Sequence, residues 1–384
     1  MAGPVREGLE APRVGWVDEP PIPVIRLGDT GEVAAALPHL LGFHPAESVV
    51  LVSLRGTGGS RVGLTVRADL PPPAAARSLA HTLAGKVATD EPQAVLLAVV
   101  SGAPDVVTPD AAAVPVLPGA GFLPPAPELP HRDLVHEMVL ALDARDVPVR
   151  EALLVRSGHW WDYDCPYPCC EPGAGTPLPG GASPLAAAAV AGGAVLAAGR
   201  EALAARITPS DDDPGAAGVA SACLSAGREH AARLRALGRA AVAAEAGAAV
   251  TAAVADCRPG PDTAATRLAD ARVARVLWGL TLPEVRDRAL GLALGEDAAA
   301  AEVLWSECTR RAPVLLDGPP ATLLAVSAWL RGDGAMANVA LERALAADPG
   351  AALPQLLADG LAACLPPSAL RALIGSTLEQ DAAG

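Results

Sequence analysis

Two stretches in the first half of the chain are apolar without interruption, 48–54 (SVVLVSL) and 94–100 (AVLLAVV). Unbroken runs of that length fit strands buried on both faces. Between them, 62–68 alternates, with Val62, Leu64, Val66 and Ala68 on one face and Gly63, Thr65 and Arg67 on the other. Thr57-Gly58-Gly59-Ser60 separates the first run from the alternating one, which predicts a hairpin. A helix follows, opened by prolines 71–73 and carrying Ala76, Leu79, Ala80, Leu83 and Val87 on one stripe. Residues 131–145 have helical period and lead into a strand over 150–156. Arg156-Ser157-Gly158-His159 then reads as a tight turn. Beyond it His159, Trp161 and Tyr163 share one strand face, and Trp160, Asp162 and Asp164 the other. This pattern predicts an α/β domain, a mixed sheet with helices on its faces.

Beyond residue 184 the strand patterns vanish. Helices are predicted near 185–206, 217–256, 262–279, 283–294, 297–311, 320–331, 335–347 and 352–363. The predicted order is a flexible tail (1–21), the α/β domain (22–164), a Cys/Pro/Gly-rich connector (165–184) and an all-α, Ala-rich helical domain (185–384). Within the first domain, 103–130 is proline-rich and reads as a long exposed loop.

Composition narrows the classes of partner. The 29 basic and 43 acidic residues give a net charge of −14. Neither half carries a basic stripe, so nucleic acid is not an expected partner, nor is an anionic membrane surface. No secretory signal is visible before residue 23, and the most apolar stretch, 185–198, is too short to cross about 30 Å of hydrocarbon. Seven cysteines at irregular spacing suit a reducing cytoplasm better than a disulfide framework.

Four motifs carry a resemblance. They are 37–50 (LPHLLGFHPAESVV), Arg67-Ala68-Asp69-Leu70-Pro71, Trp160-Trp161-Asp162-Tyr163-Asp164-Cys165 with Cys169-Cys170, and Trp329-Leu330-Arg331-Gly332-Asp333-Gly334-Ala335. In these the chain resembles an uncharacterised actinobacterial family, domain of unknown function 4192. The resemblance implies a cytosolic actinobacterial protein and supplies no activity. Local physics accounts for much of the first motif. Asp29 and Glu32 form a capping-box pair, and Val33, Ala36, Leu37 and Leu40 make an inward stripe. Pro38 predicts a kink or break near Leu37, Gly42 suits a left-handed terminus and Pro45 prevents continuation. The other reading of this motif is a pocket using His39, His44 or Glu47.

Cys165, Cys169 and Cys170 are the most unusual cluster, since three thiolates supply most of a tetrahedral zinc shell. The spacing matches neither the paired cysteines of zinc ribbons nor a C-x3-C-x2-C motif, because Pro172 occupies the last position. An extended chain would put His159 roughly 20 Å from Cys165. Three readings stay open: thiols packed beneath Trp160 or Trp161, a structural zinc, or a redox pair. Trp160 and Trp161 are either a stacking platform for a ligand or a core-filling edge hairpin. Arg67, Asp69 and Ser101 sit where open α/β sheets bind ligands, though Asp69 as a helix cap and Ser101 as a turn residue need no ligand. Several reactions are excluded by missing residues. Gly85-Lys86 lacks the Gly and Ser/Thr of a phosphate loop, having Ala80 and Val87. His136-Glu137 lacks its second histidine, having Leu140. Gly56-Thr57-Gly58 lacks its third glycine, having Arg61, and there is no G-x-S-x-G elbow. No cofactor is expected beyond a structural zinc.

Residues 318–349 resemble one tetratricopeptide unit through Leu324-Ala325, the Gly332-Asp333 turn, Ala337, Leu341, Ala344 and Pro349. Gly334 replaces the usual aromatic, and no second unit follows. The expectation is a non-catalytic protein-interaction or regulatory protein that meets a protein partner through its helical domain. The alternative is an enzyme or small-molecule binder at the carboxyl edge of the sheet, near Asp69, Ser101 and the tryptophan hairpin.

Overall fold

The two apolar runs form the centre of one sheet. In the computed structural model, which describes residues 30–59, 61–107, 114–115, 122–123, 127–180, 196–209, 214–258 and 268–383, β1 (Ser48–Arg55) and β3 (Ala94–Val100) pair antiparallel from Ser48–Val100 to Leu54–Ala94. β2 (Arg61–Asp69) lies antiparallel outside β1, and β4 (Val149–Arg156) lies parallel to β3. Next come β5 (His159–Asp162), antiparallel to β4, and a two-residue β6 (Thr176–Pro177) on β5. The sheet is therefore mixed, in the order β2-β1-β3-β4-β5-β6. β6 comes from the segment expected to be a mere connector, so part of 165–184 belongs to the sheet.

The central strands are apolar nearly throughout, Ser48 and Ser53 aside, because both faces are covered. Val50, Val52, Leu54, Leu96, Ala98 and Leu153 pack under α1 (Thr30–Leu41). Val49, Leu51, Val95, Leu97, Val99 and Leu154 pack under α2 (Ala76–Ala88) and α3 (Arg132–Asp143). Contrary to the expected break, α1 continues through Pro38 to Leu41. Proline removes one N–H, but Val33, Ala34, Ala36 and Leu37 are all buried, and that packing offsets the lost bond. Gly42 then takes the left-handed conformation, φ 76°.

The single apolar face expected for 62–68 is overturned by a bulge. Val52 pairs with Thr65 but Leu54 with Val62, so Gly63 and Leu64 stand opposite Ser53. Val62 therefore packs on the α1 side, while Val66 and Ala68 pack on the other. The polar groups freed at the bulge are collected by Asp90. Its carboxylate accepts from Ser53 Oγ at 2.5 Å and from Leu64 N at 2.9 Å, with Arg55 at 3.2 Å. Gly63 is required there, because a Cβ would overlap the Asp90 carboxylate. Asp90→Ala is expected to destabilise the protein by about 2 kcal/mol in urea unfolding, since it leaves a buried hydroxyl and an N–H unpaired.

After Pro177 the described residues contribute no strand to the sheet. The helices are α4 (Arg200–Ala205), α5 (Pro214–Leu237), α6 (Arg239–Asp256), α7 (Asp270–Gly279), α8 (Pro283–Leu290), α9 (Ala298–Arg311), α10 (Gly318–Leu330), α11 (Gly334–Ala347), α12 (Ala352–Ala362) and α13 (Pro367–Ala383). The one long helix expected over 217–256 is two, broken at Gly238 (φ 79°), and α13 was not expected at all. Of the expected 185–206 helix only α4 falls within the described residues; α7 starts at Asp270, with 259–267 outside them. Asp29, the 1–21 tail and most of the 103–130 loop also lie outside, although Val106 and Glu128 exchange backbone bonds at 2.8 Å. The hairpin expected near 318–349 is present as α10 and α11, turning at Gly332 (φ 88°). Every side chain of α10 from Pro320 to Leu330 is buried, so it is the central helix of this unit rather than one wall of an open groove. The two parts meet where Ala197 exchanges backbone bonds with Gly42 and His44, and Phe43 enters the helical core. Among the described residues no helix is long and apolar enough to cross a membrane.

Candidate metal centre

The chain leaves β5 through a tight sequence of bends that bring three thiols together. Asp164 N donates to Asp162 Oδ1 at 2.9 Å, turning the chain at Tyr163. Pro166 and Pro168 then lead into a single 3-10 turn over Pro168–Cys170, in which Cys170 N donates to Tyr167 O at 3.0 Å. This is the bent backbone that adjacent ligands require. Cys165 Sγ and Cys169 Sγ lie 3.9 Å apart, as do Cys169 Sγ and Cys170 Sγ, and all three sulfurs fall within 4.8 Å of one another.

That spacing has a chemical meaning. Sulfurs bound tetrahedrally to one zinc at about 2.3 Å stand about 3.8 Å apart. The three thiols are thus held at nearly the edge length of a mononuclear shell, and far beyond the ~2.05 Å of a disulfide. Among the described residues no histidine or carboxylate joins them within 4.8 Å, so three positions are supplied and the fourth is open.

The supports of the cluster come from the sheet. Trp161 is buried and its indole N–H donates to Glu171 O at 3.3 Å, while Gly175 (φ 76°) lies flat against its ring. Asp162 N donates to Cys170 Sγ at 3.3 Å, an N–H···S bond of the kind that steadies a thiolate. Burial pushes the Cys170 thiol up to about 12, partly offset by that N–H and reinforced by Cys165 and Cys169. Tyr163 is buried and its hydroxyl donates to Pro130 O at 2.6 Å, pinning the preceding loop against the site. A cleft opens beside the sulfurs, lined by Glu128, Arg132, Asp162, Tyr163, Tyr167 and Glu171 as well as by Cys165 and Cys170. The Arg132 guanidinium lies 5.7 Å over the Tyr163 ring, and Glu128 is 3.8 Å away.

The other expected site residues are dispersed. Trp160 and Trp161 point to opposite faces, Trp160 packing on the α1 side against Gly31 and Trp161 on the other, so no paired platform forms. Arg67 and Asp69 pair with each other at 2.6 Å, and Asp69 caps no helix. Arg67 also lies 5.9 Å over the Phe43 ring, against the helical unit. None of Arg67, Asp69 and Ser101 lines the cleft beside the sulfurs.

A family model described as "Domain of unknown function (DUF4192)" matches residues 31–368. The chain belongs to the DUF4192 family. The match begins in α1, passes through all three cysteines and ends in α13, so the sheet and the helical unit both fall inside it. No curated protein and no solved structure matches the chain.

A second polar constellation in this DUF4192 protein lies where β3 ends. Ser101, 3% exposed, donates from Oγ to Glu47 Oε2 at 2.9 Å and accepts from Ala103 N at 3.1 Å, and His131 Nε2 lies 3.0 Å from the same oxygen. Glu47 also accepts from Gly102 N at 2.6 Å. Glu47 and His131 both hold left-handed backbones, φ 41° and 61°. Burial lowers the His131 imidazole below its ordinary value, with Glu47 opposing, which favours the neutral ring. Since the Ser101 proton goes to Glu47, the Nε2–H tautomer is the one that fits the contact with Ser101. The hydroxyl therefore has all its hydrogen-bonding capacity engaged, in the pattern of a locked turn rather than of a nucleophile freed by a base. Sequence reasoning singled out Ser101 and Glu47 separately and missed His131. No local pattern marks these three, because Ser101 stands 54 residues from Glu47 and 30 from His131.

Proposed function

We propose that this DUF4192 protein is a zinc-binding protein, with Cys165, Cys169 and Cys170 as ligands and a fourth position open to the adjoining cleft. The observation that carries this is the 3.9 Å spacing of neighbouring sulfurs, with no fourth donor within 4.8 Å among the described residues. Thiolates select soft or borderline metals, and a single tetrahedral ion fits the short separations. Structural zinc sites are normally closed by four protein ligands, whereas three ligands and an exchangeable position are the arrangement of sites that act on a bound molecule. Metal analysis of protein purified without added zinc is expected to give close to one zinc per chain. Metal-free protein that takes up none on addition would sink the proposal.

A second reading, protein-partner binding through the helical unit, is favoured by the loop between α9 and α10. There Val314 is 73% exposed and Leu315 90%, which makes them the most exposed large apolar side chains among the described residues. Truncation from residue 318 is an unsuitable test, because it removes the buried α10. Leu315→Asp removes no core contact. It is expected to abolish capture of a protein partner from host lysate with an unchanged melting temperature, and capture that persists excludes this loop as the contact.

A further inference from the structure

Given the zinc centre proposed above, we infer that its open position takes a small aminothiol, the sulfur on the metal and the ammonium group against an acidic rim. The sulfur follows from the donor set. Three thiolates and one zinc ion carry a net charge of −1, a centre electron-rich and soft enough to favour a fourth sulfur over a hard oxygen. Coordination removes the thiol proton, so the exchange balances as R–SH replacing bound water, with a zinc–sulfur bond formed, a zinc–oxygen bond broken and one proton released to solvent.

The ammonium group follows from the cleft. Its walls include three acidic residues, Glu128, Asp162 and Glu171, against one cation, Arg132. That cation lies over Tyr163 with Glu128 at 3.8 Å, so these two offset one another and Asp162 and Glu171 leave the rim net acidic. A carboxylate-bearing thiol would add a second negative charge to this surrounding, and an uncharged thiol would gain nothing from it. A thiol carrying an ammonium group enters as a zwitterion once its sulfur is deprotonated, without net charge.

The test uses cobalt(II) in place of zinc in the full chain, with metal content measured on every sample. Cysteamine, 2-mercaptoethanol and 3-mercaptopropionate are titrated as probes, read by the sulfur-to-cobalt absorption. Going from three to four sulfurs should raise that absorption by about one third. Cysteamine is expected to bind tightest and 3-mercaptopropionate weakest. Glu171→Gln should weaken cysteamine roughly threefold, the scale of one exposed charge, and leave 2-mercaptoethanol unchanged. Protein that holds no cobalt overturns the metal centre itself. Protein that holds cobalt but shows no change with cysteamine leaves the centre standing and overturns this inference. Equal binding of the three probes, or an unchanged cysteamine affinity in Glu171→Gln, overturns the acidic-rim selection.

Discussion

Cys170→Ser is expected to lower the zinc affinity of the protein about a hundredfold. Apparent binding energies of four-ligand zinc sites are about 10–16 kcal/mol, so one thiolate accounts for about 3 kcal/mol, and this scales to the hundredfold loss. A serine hydroxyl does not ionise near neutral pH and is a poor ligand for a soft site. Cys170 is the sharpest choice of the three because it is buried and its sulfur receives the Asp162 N–H, so the substitution removes an oriented donor rather than a mobile one. Cys169 is exposed, and Cys169→Ser should lose zinc as well but leave the turn intact. Cys364→Ser, just beyond the end of α12, is the control that should keep full zinc. The neighbouring supports do not depend on the metal, since Trp161 and Tyr163 are anchored by Glu171 O and Pro130 O. The variant should therefore stay folded, with its far-ultraviolet circular dichroism unchanged. Full zinc content in folded Cys170→Ser would remove the cluster from consideration as a metal site.

What the sequence disclosed was what is local in physical terms. β1 and β3 announced themselves because both faces are covered, so nearly every position is apolar. The turn at Ser157-Gly158 was readable because left-handed residues at a hairpin favour such pairs, and both adopt positive φ. The three cysteines were readable as a unit for the same reason, lying within six residues on proline-bent chain. Pro38 misled, because propensity counts the missing N–H and not the burial of the helix face around it. The bulge in β2 was invisible, since it exists only relative to Ser53 on another strand and is held by Asp90, which lies beyond α2. The strand at Thr176–Pro177 hid inside a proline- and glycine-rich segment, being too short to have a period. In the helical unit Gly238 was passed over as one glycine in a long Ala-rich run. The mostly apolar α10, whose Thr322 and Ser327 hydroxyls turn back onto its own carbonyls, did carry the mark of a central helix, a sequence with no charged side, and was read instead by its likeness to a repeat hairpin.

Arg311→Ala is expected to destabilise the protein by about 3 kcal/mol. The Arg311 side chain is fully buried, the only arginine so enclosed among the described residues. It ends α9, and its guanidinium donates to Leu268 O at 2.8 Å, to Glu307 Oε1 at 2.8 Å and to Asp270. Leu268 and Asp270 bracket the start of α7, so this side chain fastens the last turn of one helix to the first turn of another. Removing it leaves Glu307, 19% exposed, with Arg310 still on Oε2 at 2.7 Å but with Oε1 and the Leu268 carbonyl uncompensated beside a cavity. Breaking one side of a buried ion pair typically costs 3–5 kcal/mol. The lower figure applies because Asp270 is 43% exposed and regains water when its partner is lost. Two further variants separate charge from volume. Arg311→Met keeps most of the stem and should lose less than Arg311→Ala. Adding Glu307→Gln to Arg311→Met should recover part of the loss, a non-additivity that only a coupled pair produces. Urea unfolding read by tryptophan fluorescence suits the measurement, since Trp305 lies on α9 and Trp278 on α7. Strictly additive losses would show that the guanidinium fills space and nothing more. Recovery in the double variant would show that the joint between α7 and α9 is electrostatic, and that a chain so rich in alanine relies there on a buried charge where its small side chains cannot specify the contact.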